Sequence, residues 1–235
     1  MCLLEELRAL GVLPGDIVMV HASMRAVARR AEEVVEALLA AVGAGGAVMA
    51  YVDFEPSGEP LEFDLSASPA ARDHGVLAEV IRRWPGAVRS QNPGASMAAI
   101  GARAEWLCAD HPLDYGYGPG SPLAKLVDTQ GKVLLLGSHF DHVTLIHHAE
   151  HLAQIPNKKV VHYTVRVGGA DVEIEEFDTS EGVVERMPEK YFEQVVREFL
   201  ATGRSSSGRV GGATSYLLPA RELVAFALAK LASLV

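Results

Sequence analysis

Cysteine is nearly absent from this chain of 235 residues. Cys2 and Cys108 are its only thiols, giving neither a disulfide framework nor metal-ligand spacing, which suits a reducing cytoplasm. Cys108, beside Trp106 and Leu107, reads as an apolar filler rather than a nucleophile. No stretch approaches the roughly 18 apolar residues that a membrane helix needs. The opening MCLLEELRALGVLPGD reads as an amphipathic helix carrying acids, a poor secretory signal. There is no Lys/Arg-rich run, and 21 bases stand against 30 acids for a formal net charge of −9. That argues against a nucleic-acid partner, whose phosphates are held by basic patches, and it welcomes a cationic ligand, although mild acidity also serves solubility alone. Walker and GxGxxG patterns are missing, as are internal repeats and an interdomain linker.

What is present is apolar content, 49% of residues, enough for a substantial core in one domain spanning 1–235. Helical and strand-like segments alternate. Residues 3–10 are helical and end at Gly11; IVMVH (17–21) is a strand after the Pro14-Gly15-Asp16 turn. Residues 32–42 have helical periodicity, 47–52 strand character, 73–84 helical, 87–89 extended, 97–101 strand and 102–110 helical. A Gly/Pro-rich tract, DYGYGPGSPLAKL, leads into a helix over 122–127. KVLLLG (132–137) is the clearest buried strand, continuously apolar between glycines. Residues 158–178 read as a hairpin around Gly168-Gly169, 188–200 as a helix, 203–212 as a Ser/Gly loop and 219–234 as a terminal helix. The pattern predicts an α/β fold, a single layered domain with a central mixed sheet flanked by helices and a hairpin-containing insertion in the second half.

Chemistry concentrates in SHFDHVTLIHHAEH (138–151), which holds five of the nine histidines with Asp141, Thr144 and Glu150. On a helix, Thr144, His147 and Glu150 recur every three residues and form one ridge. Imidazole titrates nearest neutrality, and a carboxylate one turn away can fix its tautomer and raise its basicity, which makes His147 a candidate general base. An HxxE pair can also be a solvated helix face, but the apolar flanks Val143, Leu145, Ile146 and Ala149 leave little polar surface here. HHAEH also fits the HxxEH pattern of inverted zinc peptidases, with His147 and His151 on a metal and Glu150 activating water. The turn His21-Ala22-Ser23-Met24-Arg25 follows a strand, where α/β folds bind ligands. Residues 115–121 offer bare glycine backbone for a phosphate or a pantetheine-like chain, with Ser121-Pro122 as N-cap and first helical position; an irregular loop has the same composition.

The segments MVHASMRAV, AVMAYVDFE, RSQNPGASMAAIG, DHPLDYGYGPGSPLAKLV, GKVLLLGS, VTLIHHAEHLA and IPNKKV, in this order over about residues 3–230, resemble the aminoglycoside 3-N-acetyltransferases of the antibiotic N-acetyltransferase fold. The resemblance implies transfer of an acetyl group from acetyl-coenzyme A to the 3-amine of a 2-deoxystreptamine ring, with no metal, in a fold unrelated to the GNAT acyltransferases, by a monomer or homodimer. It implies His147 as the catalytic imidazole, with Glu150 and Thr144 beside it. It implies a coenzyme site from His21, Ala22, Ser23, Met24 and Arg25, from Arg89, Ser90 and Ser96, and from Gly118 and Ser121. Asp53, Glu55, Glu176 and Asp178 would then meet the ammonium groups of the sugar. Direct transfer in a ternary complex is the expected mechanism, Ser23 having no adjacent partner to activate it as a covalent nucleophile. A zinc hydrolase and a catalytically silent binder of coenzyme A or cations are the alternatives. The chain departs from the family pattern after Met24 and over 55–66, both abbreviated, and in SHFDHV, which brings His139 and His142 toward the site.

Overall fold

The run KVLLLG becomes the strand around which the other elements are arranged. The computed structural model describes residues 2–54, 60–185 and 187–234. In chain order the elements are α1 (Leu3–Leu10), β1 (Ile17–Ala22), α2 (Met24–Val27), α3 (Ala31–Val42), β2 (Ala47–Tyr51), β3 (Glu62–Phe63), α4 (Gly75–Arg82), β4 (Val88–Arg89), β5 (Met97–Gly101) and α5 (Ala104–Cys108). They continue with α6 (Pro122–Asp128), β6 (Lys132–Leu136), α7 (Leu145–Leu152), β7 (Val160–Val167), β8 (Ala170–Phe177), α8 (Tyr191–Ala201), β9 (Ser206–Val210), β10 (Ala213–Pro219) and α9 (Ala220–Ala232). Seven strands form a mixed sheet in the order β4-β5-β2-β1-β6-β10-β9. Its centre, β2-β1-β6, is parallel and both flanks are antiparallel. Among the described residues no helix is long and apolar enough to cross a membrane.

Alternation along β6 explains its uninterrupted apolar sequence. Val133 and Leu135 enter a core shared with Leu126 of α6, Ile146 of α7, Phe199 of α8 and Leu223 of α9. Leu134 and Leu136 point the other way, into a core with Leu7 of α1, Leu38 of α3 and Ile81 of α4. A strand covered by helices on both faces has no polar side to show. The chain leaves β1 for α3 on one face of the sheet and reaches β6 from α6 on the other. The carboxyl ends of β1, β2 and β6 therefore open onto a crevice, the usual ligand site of such sheets.

Punctuation follows the local chemistry. Gly11 ends α1 in the left-handed region at φ 110°, where its N–H closes the last turn. Ser121 caps α6, its Oγ accepting from Ala124 N at 3.2 Å, with Pro122 in the first turn. The hairpin β7–β8 is completed by β3 into a separate three-stranded sheet with its own small core of Phe54, Phe63, Val165 and Ile174. Two readings need correction. Residues 203–212 are not a loop: Ser206–Val210 is an edge strand, held by backbone pairing with β10. The helix expected from 188 begins at Tyr191, because Lys190 stands in the left-handed region at φ 52°.

Candidate active site

His147 sits on α7 with its ring gripped from two sides. Tyr117 packs against it with a centroid separation of 4.9 Å and Phe192 at 4.7 Å. The Nδ1–H donates to Glu150 Oε2 at 2.7 Å, one helical turn on. Glu150 is wholly buried while the imidazole is partly exposed. A carboxylate acceptor at Nδ1 fixes the proton there and leaves Nε2 as the basic nitrogen. The ridge of Thr144, His147 and Glu150 is formed, with Thr144 at the start of the helix and its hydroxyl not used as a cap.

Two hollows meet at this imidazole. The first, about 360 Å³, lies at the carboxyl ends of β1 and β6 and is lined by His21, Ala22, Ser23, Tyr51, His74, Ser138, His139, His142, Thr144 and His147. The second, about 790 Å³, is lined by Asp141, His147, Glu150, Glu181, Glu189, Lys190, Tyr191 and Phe192 among others. His147 and Asp141 belong to both. The second hollow is rich in carboxylates. The first is rich in imidazoles, and in it His21 is pushed down to about 3, chiefly by burial and then by His142 and His74, so that it is neutral. His21 Nε2 and Ser138 Oγ are buried there without a protein partner.

The residues expected to hold the coenzyme divide into two groups. His21, Ala22 and Ser23 face the first hollow. Ser23 accepts from Ala26 N at 3.4 Å as the cap of α2, while Met24 is half-buried and Arg25 exposed on that helix. The others are turned inward. The Arg89 guanidinium donates to Ser96 Oγ at 3.1 Å, to Ser68 O at 2.6 Å and to Val52 O, and burial holds it down to about 10. Ser90 Oγ accepts from Met97 N at 2.9 Å and bonds His111 Nδ1 at 2.8 Å. Gly118 packs under Tyr115, where an added Cβ would meet Tyr115 O at 2.9 Å, and Ser121 is fully buried. Arg89, Ser90, Ser96, Gly118 and Ser121 thus have interior partners, and none of them lines either hollow.

The expected acids fare similarly. Glu176 is buried: its Oε2 accepts from Gly116 N at 2.7 Å, and its Oε1 accepts from Phe177 N at 2.7 Å and His151 Nε2–H at 2.6 Å. Asp178 accepts from the hydroxyl and N–H of Ser180, which hold it below the usual carboxylate range, and Lys159 lies 3.8 Å away. Asp53 accepts from His74, behind the first hollow. Glu55 lies outside the described residues. The carboxylates that do line the second hollow are Asp141, Glu150, Glu181 and Glu189. Glu181 follows the hairpin in a segment without periodicity and Glu189 opens the segment read as a helix, so neither carried a motif; their closeness in sequence to the hairpin's end was the available signal.

His147 and His151 do not converge as the HxxEH zinc pair. His151 Nδ1 is engaged with His147 O at 2.9 Å and its Nε2 with Glu176 Oε1 at 2.6 Å, so neither ring nitrogen is turned toward a shared metal position with His147. Among the described residues no group of three or more His, Cys, Asp or Glu is arranged to hold a metal ion.

A carboxylate-oriented imidazole between an imidazole-rich hollow, which also holds Asp73 and Asp141, and a hollow richer in carboxylates suits a group-transfer enzyme with two substrates. The aminoglycoside 3-N-acetyltransferase family model matches residues 19–232. Aminoglycoside N(3)-acetyltransferase III of Pseudomonas aeruginosa is 37% identical over 96% of this chain and 90% of its own length. Among solved structures, AAC-IIIb in binary complex with CoASH superposes with a TM-score of 0.93 and 44% identity, covering 98% of this chain and 95% of that one. AAC-VIa bound to sisomicin gives 0.91 and 36%, covering 98% and 96%. The chain belongs to the aminoglycoside 3-N-acetyltransferase family, a family of acyltransferases.

Proposed function

We propose that this enzyme transfers the acetyl group of acetyl-coenzyme A to the 3-amino group of the 2-deoxystreptamine ring of an aminoglycoside, in the cytoplasm, as a single domain over residues 1–235. The place of His147 where two hollows meet carries this reading. The thioester end of acetyl-coenzyme A occupies the first hollow and the polycation the second, where three carboxylates besides Glu150 outnumber Lys190. The solved relatives with CoASH and with sisomicin support a site for each ligand in this fold.

The acceptor amine is mostly ammonium at neutral pH and cannot attack until it loses a proton. The ammonium first gives up one proton to solvent; as the neutral amine attacks the thioester carbonyl and the C–N bond forms, His147 Nε2 takes a second proton from the nitrogen, the C–S bond breaks, and that second proton passes from the imidazole to the departing thiolate. Thr144 Oγ1 donates to the developing oxyanion or to the sulfur, and Ser138 Oγ and the neutral His21 lie in the same hollow as further donors. Holding both substrates against one imidazole supplies the rest by proximity.

Direct transfer requires both substrates to be bound together. Initial rates with acetyl-coenzyme A and an aminoglycoside varied in turn give intersecting double-reciprocal lines; parallel lines would mean an acetyl-enzyme, and no thiol release with any aminoglycoside would leave a silent binder. Glu181→Gln with Glu189→Gln raises the acceptor KM and leaves that of acetyl-coenzyme A unchanged. Added salt weakens the wild type in the same direction, since screening shortens electrostatic reach to about 8 Å at physiological ionic strength. An acceptor KM insensitive to both changes would make these acids mere solvated surface. In Glu150→Gln the acid limb of kcat/KM moves to lower pH, because loss of the anion destabilises the imidazolium. An unmoved limb would reduce Glu150 to a packing residue.

A further inference from the structure

We propose that Tyr191 is a positioning residue for the His147–Glu150 pair, its hydroxyl serving the second carboxylate oxygen of Glu150 through one bridging water. This rests on the general-base reading of His147 and extends it to α8. Glu150 Oε2 is taken by His147, while Oε1 is buried and has no protein partner. Tyr191 is 8% exposed, its hydroxyl is buried and likewise lacks a protein partner, and both residues line the second hollow. Buried polar atoms are rarely left unsatisfied. A carboxylate oxygen only accepts and a phenol can donate, so what joins them at longer than direct reach must both accept and donate, as water does.

The placement of Tyr191 has a visible cause. Lys190 in the left-handed region turns the chain into α8, and the first two residues of that helix then address the pair together. Phe192 covers the His147 ring, and Tyr191 brings its hydroxyl within electrostatic reach of Glu150. Burial first and the Glu150 charge second push the phenol well above its ordinary range, so it remains a donor at every working pH. The other groups facing the pair come from several elements. They are Tyr117 against the ring, Lys158 within reach of Glu150, Asp141 and His142 beside the hollows, and His148 and His151 on α7 with Glu176 beyond. Glu198 acts on Tyr191 from α8 itself.

The sign of the effect separates this role from packing. A donor on Oε1 draws charge away from the carboxylate; without it Glu150 holds the imidazolium proton more tightly. The test compares kcat/KM against pH in the wild type, Tyr191→Phe, Glu150→Gln and the double variant, with thermal melts to verify folding. In Tyr191→Phe the acid limb moves to higher pH, opposite to Glu150→Gln, and kcat falls about threefold to tenfold, the scale of one net hydrogen bond. Both KM values stay unchanged, and when Glu150→Gln is already in place the further Tyr191→Phe change moves nothing. An unmoved limb in Tyr191→Phe, a shift that persists without the Glu150 anion, or a rise chiefly in acceptor KM would overturn the proposal. A limb unmoved in Glu150→Gln would bring down the underlying pair, and this role with it.

Discussion

Replacing His147 with alanine lowers the acetyl-transfer rate by roughly 10²–10⁴, the usual contribution of a positioned general base, while acetyl-coenzyme A binds nearly as well as before. The asymmetry follows from the chemistry. On the proposed mechanism the imidazole acts on the acceptor's proton rather than on the donor. Its ring is held by Tyr117 and Phe192 and its Nδ1 by Glu150, so alanine also leaves that buried carboxylate without its partner, and thermal melts of the variant accompany the rates. Single-turnover rates together with coenzyme affinity by calorimetry check both halves. Near-wild-type turnover in the folded variant would move the base elsewhere.

Glu176→Ala has the largest expected effect on stability. Three donors from three parts of the chain converge on this carboxylate: Gly116 N before α6, His151 on α7 and Phe177 N on β8. Removing it leaves the buried His151 ring nitrogen and two backbone N–H groups without their acceptor, and at about 1–3 kcal/mol for each stranded donor the loss is about 3–5 kcal/mol. For a chain of this size that lowers Tm by roughly 10 °C. The effect should reach catalysis indirectly, because the same loop carries Tyr117 and its contact with His147. Calorimetric melts at neutral pH decide it. A loss below about 1 kcal/mol would be the worth of a surface pair and would show that the hairpin is anchored by other contacts.

How far the fold could be read ahead depends on the element. β6 was legible because a strand covered on both faces must be apolar throughout, and Gly131 and Gly137 bound it. β9 was hidden because SSGRV has no apolar alternation: an edge strand of this kind is held by backbone bonds to β10, to which sequence periodicity is blind. The HxxE ridge on α7 could be read since it needs only local geometry. The aromatic grip on His147 could not, because Tyr117 and Phe192 reach it from distant segments. The motif RSQNPGAS carries the family likeness, yet letters alone do not reveal the interior hydrogen bonds that Arg89, Ser90 and Ser96 make. Glu176 was within reach: it lies two residues after the buried Ile174 on a strand, so strand parity turns it inward with that residue.

The most direct measurement is thiol release from acetyl-coenzyme A across a panel of aminoglycosides, with the acetylated amine located by NMR of the purified product. The account predicts stoichiometric thiol release dependent on the aminoglycoside, and a single acetyl group on the 3-amine of the 2-deoxystreptamine ring. Acetyl on another amine, or no aminoglycoside-dependent release, would contradict it.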